Sequence, residues 1–348
     1  MRRQRRRQRM TSDNKLLSVS PSPHIKHPDN TKSIMLDVLI AMLPALIWSV
    51  YVFGWRSLSI VVICVASCIA FEYFYQKLMK KRITAGDLSA AVTGVLLAYN
   101  LPVSVPFWVP VIGAFFAIVV VKQLFGGIGK NIMNPALAAR VFLFCAWPSI
   151  LGNDAYFAPF TKMSPLAVSV KGLDTVAGAT PLASFKTGGI SDYSIFDMFI
   201  GRIPGCIGEV SAMLLILGGI YLMVRRVITW HIPLSYIGTV ALVSFLFPKV
   251  ESVHAFEFMA MEVFSGALML GAIYMATDYA TSPVSPKGRI IYGIGCGAIT
   301  VFIRYFGGYS EGTSFAILIM NLLVWYIDMF TRPKVFGKVK AKKVKEKE

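Results

Sequence analysis

The sequence predicts an all-α polytopic membrane protein with about ten transmembrane helices, and three observations support that class. Hydrophobic residues make up 55% of the 348 residues and charged residues only 15%, a composition that excludes an ordinary soluble domain. Apolar runs recur along the whole chain, and a bilayer core requires about 20 apolar residues per helix. Basic residues cluster at alternate ends of these runs, as expected for a chain that crosses a membrane repeatedly.

The apolar runs form two groups of five, separated by a polar segment at 150–205. The predicted spans are 35–54, 57–76, 88–103, 107–124, 133–149, 206–224, 230–247, 257–276, 288–306 and 313–330. The first group defines a membrane unit at 35–149 and the second group a membrane unit at 206–330. Basic tails at 1–34 and 331–348 complete the predicted organisation.

The distribution of basic residues predicts which loops face the cytoplasm. Arginine and lysine are concentrated in both tails and after the even-numbered spans, at Lys77, Lys80, Lys81, Arg82, Lys122, Lys130, Arg225, Arg226, Lys287 and Arg289. The positive-inside rule therefore places both termini in the cytoplasm and the 150–205 segment outside. The net charge of +17 also suits contact with anionic membrane lipid. Its position beside apolar spans argues against nucleic acid as a partner.

An internal repeat relates the two groups of spans. Residues 108–120, followed by Phe125-Gly126-Gly127, resemble residues 289–301, followed by Phe306-Gly307-Gly308, at an offset near 181. Because each unit has an odd number of spans, the two units have opposite orientations in the membrane. Inverted repeats with broken helices near the midplane are typical of transport proteins. The alternative is a chance similarity between apolar helices that end in Phe-Gly-Gly turns.

Several kinds of site lack the residue spacing that they require. The five cysteines are scattered without a Cys-x-x-Cys pair, so zinc and iron–sulfur sites are not supported. Gly129-Lys130-Asn131 lacks the Ser or Thr that ends a phosphate loop. No catalytic set of the hydrolytic kind is present. Any electron carrier held by this chain alone is therefore expected to be organic.

Polar residues inside the spans are candidates for function. Asn134-Pro135 has the residue types of a helix N-cap and first turn, directly after the glycine-rich 126–131 segment. Arg140 lies well inside its span and is expected to pair or to bind a ligand. Asp278 belongs either to a cation path or to a plain helix-terminal loop. Lys122 is expected to extend its amine to the cytoplasmic face.

The polar segment contains the stretch Asp174-Thr-Val-Ala-Gly-Ala-Thr-Pro-Leu-Ala183, with a hydroxyl at Thr180. Taken alone, this stretch is either a turn or the site of a reaction at that hydroxyl.

Three segments together carry a resemblance to a known family. They are the long segment from Lys122 to Leu143, Met275-Ala-Thr-Asp278, and the stretch from Asp174 to Ala183. The chain resembles, from about residue 20 to residue 337, the family that contains the D subunit of the Rnf electron-transport complex. The same family contains the B subunit of the sodium-pumping NADH:quinone oxidoreductase. Its fold is similar to the urea-transporter architecture.

The resemblance implies a covalent cofactor. In this family the last Thr of a Ser/Ala-Gly-Ala-Thr element bears FMN through a phosphoester bond, which implies Thr180, with Gly178 and Asp174 in the attachment element. Position 177 is Ala where relatives often have Ser. Some relatives also hold a noncovalent flavin such as riboflavin, which would be expected near Asn134 and Arg140.

The resemblance also implies an activity and partners. The first span begins by residue 35, and this short N-terminal lead favours the Rnf D subunit over the quinone-reducing homologue. The expected function is electron relay in a multi-pass, inner-membrane ferredoxin:NAD⁺ oxidoreductase that moves Na⁺ or H⁺, with the A, B, C, E and G subunits of Rnf as partners. Gln123 stands where sodium-pumping relatives tend to have a carboxylate, which leaves Asp278 as the candidate carboxylate. The alternatives are a solute channel or transporter of the same fold without redox function, and a scaffold without cofactor.

Overall fold

The computed structural model describes residues 30–152, 156–160, 179–189, 191–209, 211–250 and 253–332. The regular structure in these residues is helical, which confirms the predicted all-α class for this part of the chain. Asp174 and Gly178 lie outside the described residues.

The first half contains five main helices. They are α1 (Thr31–Phe53), α2 (Trp55–Leu78), α3 (Ser89–Tyr99), α4 (Trp108–Gln123) and α5 (Pro135–Ala146), followed by the short α6 (Pro148–Leu151). The start of α1 is set by local chemistry, because the Asn30 side chain accepts a hydrogen bond from the Ser33 N–H at 3.0 Å. Leu88 adopts a left-handed conformation at φ 65°, which turns the chain sharply into α3.

The second half begins with two short helices, α7 (Pro181–Lys186) and α8 (Ile195–Ile200), that lie in the predicted polar segment. The main helices follow as α9 (Ala212–Val224), α10 (His231–Leu246), α11 (Ala255–Phe264), α12 (Leu268–Met275), α13 (Pro286–Phe306) and α14 (Thr313–Thr331). The chain bends by 62° between α11 and α12. The predicted eighth span is therefore a broken helix.

Helix length and composition support a membrane protein. Within the described residues, α1, α2, α13 and α14 are long and apolar enough to cross a membrane, and the bent pair α11–α12 is a fifth candidate. The apolar helices α3, α4, α5, α9 and α10 are shorter, with 10–17 residues. Helical segments thus occur at all ten predicted positions, whereas the number of crossings and their inverted arrangement remain predictions.

The sixth predicted span starts later than the sequence suggested. The predicted span begins at Cys206, yet α9 begins only at Ala212. The Ile207 N–H donates to the Leu101 carbonyl at 3.0 Å, and the Gly208 N–H donates to the Tyr99 carbonyl at 2.9 Å. The 205–209 loop therefore satisfies carbonyl groups at the end of α3, which lack partners within their own helix.

Helix packing is similar in the two halves. In the first half, α2 packs against α3 and α4, and α5 packs against α3 and α4. In the second half, α10 packs against α11 and α13, and α14 packs against α12 and α13. The halves meet where α1 contacts α9 and where α5 contacts α14.

Wide helical turns occur in each half. The Leu124 N–H donates to the Val119 carbonyl, and the Ala276 N–H donates to the Gly271 carbonyl, so both bonds span five residues. Such π-type turns are rare and occur frequently at functional sites. Those turns lie at the ends of α4 and α12, next to Lys122 and Asp278.

Candidate functional site

A first cavity, here called the Asp278 cavity, lies between the two halves. Its volume is about 100 Å³, and its polar lining residues are Ser89, Thr93, Lys122, Asn131, Asn134, Tyr274, Thr277, Asp278 and Tyr279. The structure therefore brings together Asn134 and Asp278, which are 144 positions apart in the chain.

Asn134 has the capping role that the sequence predicts. Its side-chain oxygen accepts from the Ala136 N–H at 3.0 Å and from the Leu137 N–H at 3.3 Å, and Pro135 occupies the first turn of α5. Its amide nitrogen donates to the Met275 carbonyl at 3.2 Å. This residue therefore fixes the start of α5 and also ties it to the end of α12.

Asp278 closes the turn after α12. Its carboxylate accepts from the Thr281 hydroxyl at 3.2 Å and from the Ala280 N–H at 3.4 Å. Among the described residues, no Arg or Lys lies within 4 Å of this carboxylate. The Asp278 carboxylate therefore lines the cavity, and the groups that hydrogen-bond to it are neutral.

Lys122 is buried rather than extended to the surface, so the prediction of a surface-reaching amine is wrong. Its Nζ lies 2.9 Å from Oε2 of Glu72 and donates to the Ser89 hydroxyl at 2.7 Å. Gln123 donates to the other Glu72 oxygen at 2.8 Å. Glu72 was not predicted as a site residue. It is a lone carboxylate in the apolar second span, and such a residue is by default a candidate for function.

A second cavity, here called the Arg140 cavity, has a volume of about 140 Å³. Arg140 is buried and donates to the Asn100 carbonyl at the end of α3. The cavity is also lined by Phe144, Tyr309 and Phe315, and the last two rings are stacked with centroids 5.3 Å apart. Tyr309 is 45% exposed, so the rim of the cavity is accessible.

Thr180 lines a third, smaller cavity of about 20 Å³, here called the Thr180 cavity, with Tyr156, Glu209 and Glu311. Thr180 is the N-cap of α7, and its hydroxyl oxygen accepts from the Ala183 N–H at 3.3 Å. Pro181 follows in the first turn. The predicted acceptor is therefore held at a defined position next to buried polar groups.

The Thr180 and Arg140 cavities adjoin each other. They share Tyr156, Ser310 and Glu311 as lining residues, whereas neither shares a lining residue with the Asp278 cavity. The resemblance implied one noncovalent flavin near both Asn134 and Arg140, but the structure places these two residues at different cavities. Along α5 they are separated by six residues, about 9 Å of helix.

A buried ion network supports the wall of the two adjoining cavities. Nη1 of Arg304 lies 2.8 Å from Oε2 of Glu262, and Nη2 lies 3.3 Å from Oε2 of Glu311. Glu311 also accepts from the Ala267 N–H at 3.0 Å, just after the break between α11 and α12. Burial raises the pKa of the Glu311 carboxyl, but Arg304 and the Thr313 hydrogen bonds outweigh it and hold that pKa below its usual range.

A glycine at position 266 leaves room for the Glu311 carboxylate at the break between α11 and α12. Its φ is +69°, and a Cβ at this position would lie 1.9 Å from Oε2 of Glu311 and 2.5 Å from a Leu182 methyl group. Only glycine combines this conformation with this space. Glu209 and Glu311 were not predicted as site residues, because each becomes buried only through contacts with distant parts of the chain.

Among the described residues, no group of three or more His, Cys, Asp or Glu side chains could hold a metal ion.

The chain is similar to a well-defined set of proteins. Residues 18–337 match the model of the NQR2, RnfD, RnfE family. The D subunit of the Na⁺-translocating ferredoxin:NAD⁺ oxidoreductase complex of Acetobacterium woodii is 49% identical over 330 residues, which cover 94% of this chain and 97% of that protein. The D subunit of the proton-translocating ferredoxin:NAD⁺ oxidoreductase complex of Clostridium ljungdahlii is 37% identical, with 92% of this chain and 96% of that protein covered.

A third relative has a less specific name. The D subunit of the ion-translocating oxidoreductase complex of Stutzerimonas stutzeri is 38% identical over 329 residues, with 88% of this chain and 92% of that protein covered. The match extends through all the helices described above and confirms the resemblance seen in the sequence. The chain belongs to the NQR2, RnfD, RnfE family.

Proposed function

We propose that this chain is the D subunit of an ion-translocating ferredoxin:NAD⁺ oxidoreductase complex, that Thr180 carries FMN as a phosphoester, and that the chain relays electrons across the membrane. The observation that carries the proposal is the position of Thr180. Thr180 lines a cavity that adjoins the aromatic-lined Arg140 cavity and shares Tyr156 and Glu311 with it. The names of the relatives from Acetobacterium woodii and Clostridium ljungdahlii support the activity and membership of a complex of several subunits. Its partners in this proposal are the A, B, C, E and G subunits of Rnf.

The residues around Thr180 fit a tethered flavin. An ester at the Thr180 hydroxyl leaves the ring free to move into the accessible rim of the Arg140 cavity. Phe144, Tyr309 and Phe315 offer flat apolar surfaces for the ring, and Arg140 offers a buried positive charge. When bound, FMN supplies the electron-accepting and electron-donating group.

Arg140 has a clear role in this arrangement. Its guanidinium is held by the Asn100 carbonyl and lies 5.8 Å from the centroid of the Phe144 ring. A fixed positive charge in a poorly hydrated site favours negative charge on a neighbouring group. Arg140 would therefore stabilise the reduced, more negative form of a flavin at this rim.

The polar lining of the Asp278 cavity suits a cation. It includes the Asp278 carboxylate and the hydroxyls of Thr93 and Thr277, and oxygen atoms are the ligands that hard cations prefer. A noncovalent flavin near Asn134 and Arg140 stays a prediction. We assign the cavity to water and the transported Na⁺ or H⁺, with Asp278 as the carboxylate on the path.

The proposal includes ten crossings in two inverted, urea-transporter-like repeats, with both termini in the cytoplasm and Thr180 outside. The recurring packing of α2 with α3 and α4, and of α10 with α11 and α13, supports it. In intact cells, a cysteine placed at Thr187 should react with a membrane-impermeant maleimide, whereas one placed at Lys130 should not. The opposite labelling pattern would reverse the topology.

The covalent flavin is tested on the denatured complex, produced in cells that contain the modifying transferase. The gel band of this chain should fluoresce under ultraviolet light and its intact mass should include FMN. Thr180→Ala should abolish both signals. Thr187→Ala is the matched control, because Thr187 is an exposed hydroxyl just after α7, and this variant should fluoresce like the wild type.

Two results would contradict the proposal. Fluorescence that persists in Thr180→Ala, with the complex assembled, would remove the site assignment. A wild-type intact mass equal to that of the bare chain would remove the covalent cofactor and favour the channel alternative.

A further inference from the structure

Glu209 is a buried carboxylate in the Thr180 cavity that no part of the proposed function uses. Its exposure is 8%, and the cavity that it lines is about 20 Å³, room for one water-sized occupant. The other oxygen-bearing side chains on this cavity are Thr180, Tyr156, Ser310 and Glu311. The carboxylate therefore faces a small space surrounded by oxygen atoms.

The backbone holds Glu209 in this position. The preceding residue, Gly208, packs so closely on Tyr99 that a Cβ there would lie 2.3 Å from the Tyr99 side chain. The Gly208 N–H is bonded to the Tyr99 carbonyl at 2.9 Å. The loop is thus fixed against the end of α3, and Glu209 cannot move to solvent without breaking that contact.

The Glu209 carboxylate lacks a basic partner among the described residues. Its hydrogen bond from the Cys206 N–H is long, at 3.4 Å, and no Arg or Lys lies within 4 Å. In contrast, Glu72, Glu262 and Glu311 each form an ion pair at 2.8–3.3 Å.

Glu209 has no close positive charge among the described residues. The titratable groups facing it are Glu311, Arg140 and Cys206, and Tyr156 lies against both Arg140 and Cys206. Arg304 pairs with Glu262 and Glu311, whereas Glu209 forms no ion pair within the part of the chain that the structure describes. A buried carboxylate without a paired charge is strongly unfavourable, so Glu209 favours a positive charge bound to it.

We infer that Glu209 binds one monovalent cation, a proton or an alkali ion, in the Thr180 cavity. A single carboxylate matches a single positive charge, and carboxylate and hydroxyl oxygens are the ligands that hard cations prefer. A proton would reside on the Glu209 carboxylate itself, and an alkali ion would be shared with the other oxygens. The site is formed by the protein alone, so it does not depend on FMN at Thr180.

Infrared difference spectroscopy of the purified whole complex tests the inference. One difference spectrum compares two pH values without Na⁺, and the other compares Na⁺ with choline at fixed pH. A proton predicts a carboxylic C=O band that disappears at the higher pH. An alkali ion predicts a Na⁺-induced shift of a carboxylate band. Either band should be absent in Glu209→Gln and retained in Glu257→Gln, a control on an exposed carboxylate in the first turn of α11.

The inference is overturned if both difference spectra are the same in the wild type and in Glu209→Gln. If Glu209→Gln does not assemble, Glu209→Asp provides the test. This variant retains a carboxylate, so the infrared band should move rather than disappear. An unmoved band would also overturn the inference. In-gel flavin fluorescence is recorded on the same samples. A dark wild-type band would contradict the FMN proposal and leave the cation assignment standing.

Discussion

Nζ of Lys122 lies 2.9 Å from Oε2 of Glu72, and both side chains are at least 97% buried. This pair joins α2 to α4 at the point where α4 widens into a π-type helix. Gln123, the next residue, binds the second Glu72 oxygen. The amide at position 123 is therefore bonded to a carboxylate from another helix.

Glu72→Gln should destabilise the protein. Removing one member of a buried ion pair leaves the other charge unpaired, at a cost of about 3–5 kcal/mol. The free energy of unfolding in detergent should fall by that order. Glu72→Gln combined with Lys122→Met should recover most of the loss, because no buried charge is then unpaired. A double variant as unstable as the single one would show that the pair does not act as a unit.

Gly218→Ala should weaken the contact between α1 and α9. A Cβ at Gly218 would lie 2.1 Å from the Tyr274 hydroxyl and 2.3 Å from the Ala41 carbonyl oxygen. Overpacking of this kind costs about 1–3 kcal/mol, measurable as a lower melting temperature of the purified complex. Gly238→Ala is the matched control, because a Cβ there meets no atom within 4 Å. Equal effects in the two variants would contradict the close helix approach.

Acid should destabilise the wall of the Thr180 and Arg140 cavities through Glu311. The pKa of its carboxyl in the folded protein is lower than its ordinary value of 4.5. A depressed acid pKa contributes stability that is complete above 4.5 and is lost as pH falls through the folded-state pKa. The free energy of unfolding should therefore decline on the acid side of pH 4.5.

Glu311→Gln should remove that decline. The variant should be less stable than the wild type at neutral pH, since Arg304 loses a partner, and its stability should vary less with pH below 4.5. An acid profile parallel to that of the wild type would show that Glu311 does not titrate in this range.

Asp278→Asn should impair cation movement without removing the covalent flavin. The asparagine oxygen can still accept from the Ala280 N–H, and its amide nitrogen can donate to the Thr281 hydroxyl. The side chain lacks the charge that would bind Na⁺ or H⁺. In proteoliposomes containing the complex, the cation concentration for half-maximal coupled transport should rise at least about tenfold, which corresponds to 1.4 kcal/mol of lost binding. Asp192→Asn, at an exposed position, serves as control. Unchanged transport at all cation concentrations would exclude Asp278 from the path.

Local sequence predicted the parts of the site that depend on neighbouring residues. The Asn134-Pro135 cap was correct, because a cap bonds to N–H groups two and three residues away. The N-cap role of Thr180 before Pro181 was not predicted, although it depends on neighbouring residues in the same way. The surface-reaching Lys122 was wrong, because its partner Glu72 lies 50 residues earlier in the chain.

The sequence by itself determined the membrane class, the helical positions, the family and the candidate acceptor Thr180. These follow from hydropathy, spacing and motif, which are properties of short segments. Only the tertiary structure decided that Asn134 and Asp278 share a cavity, that Arg140 lines a cavity adjoining that of Thr180, and that Glu209 is buried without a basic partner among the described residues. Burial and charge balance depend on groups far apart in the chain, and packing of α3, α5 and the 205–209 loop is what brings them together.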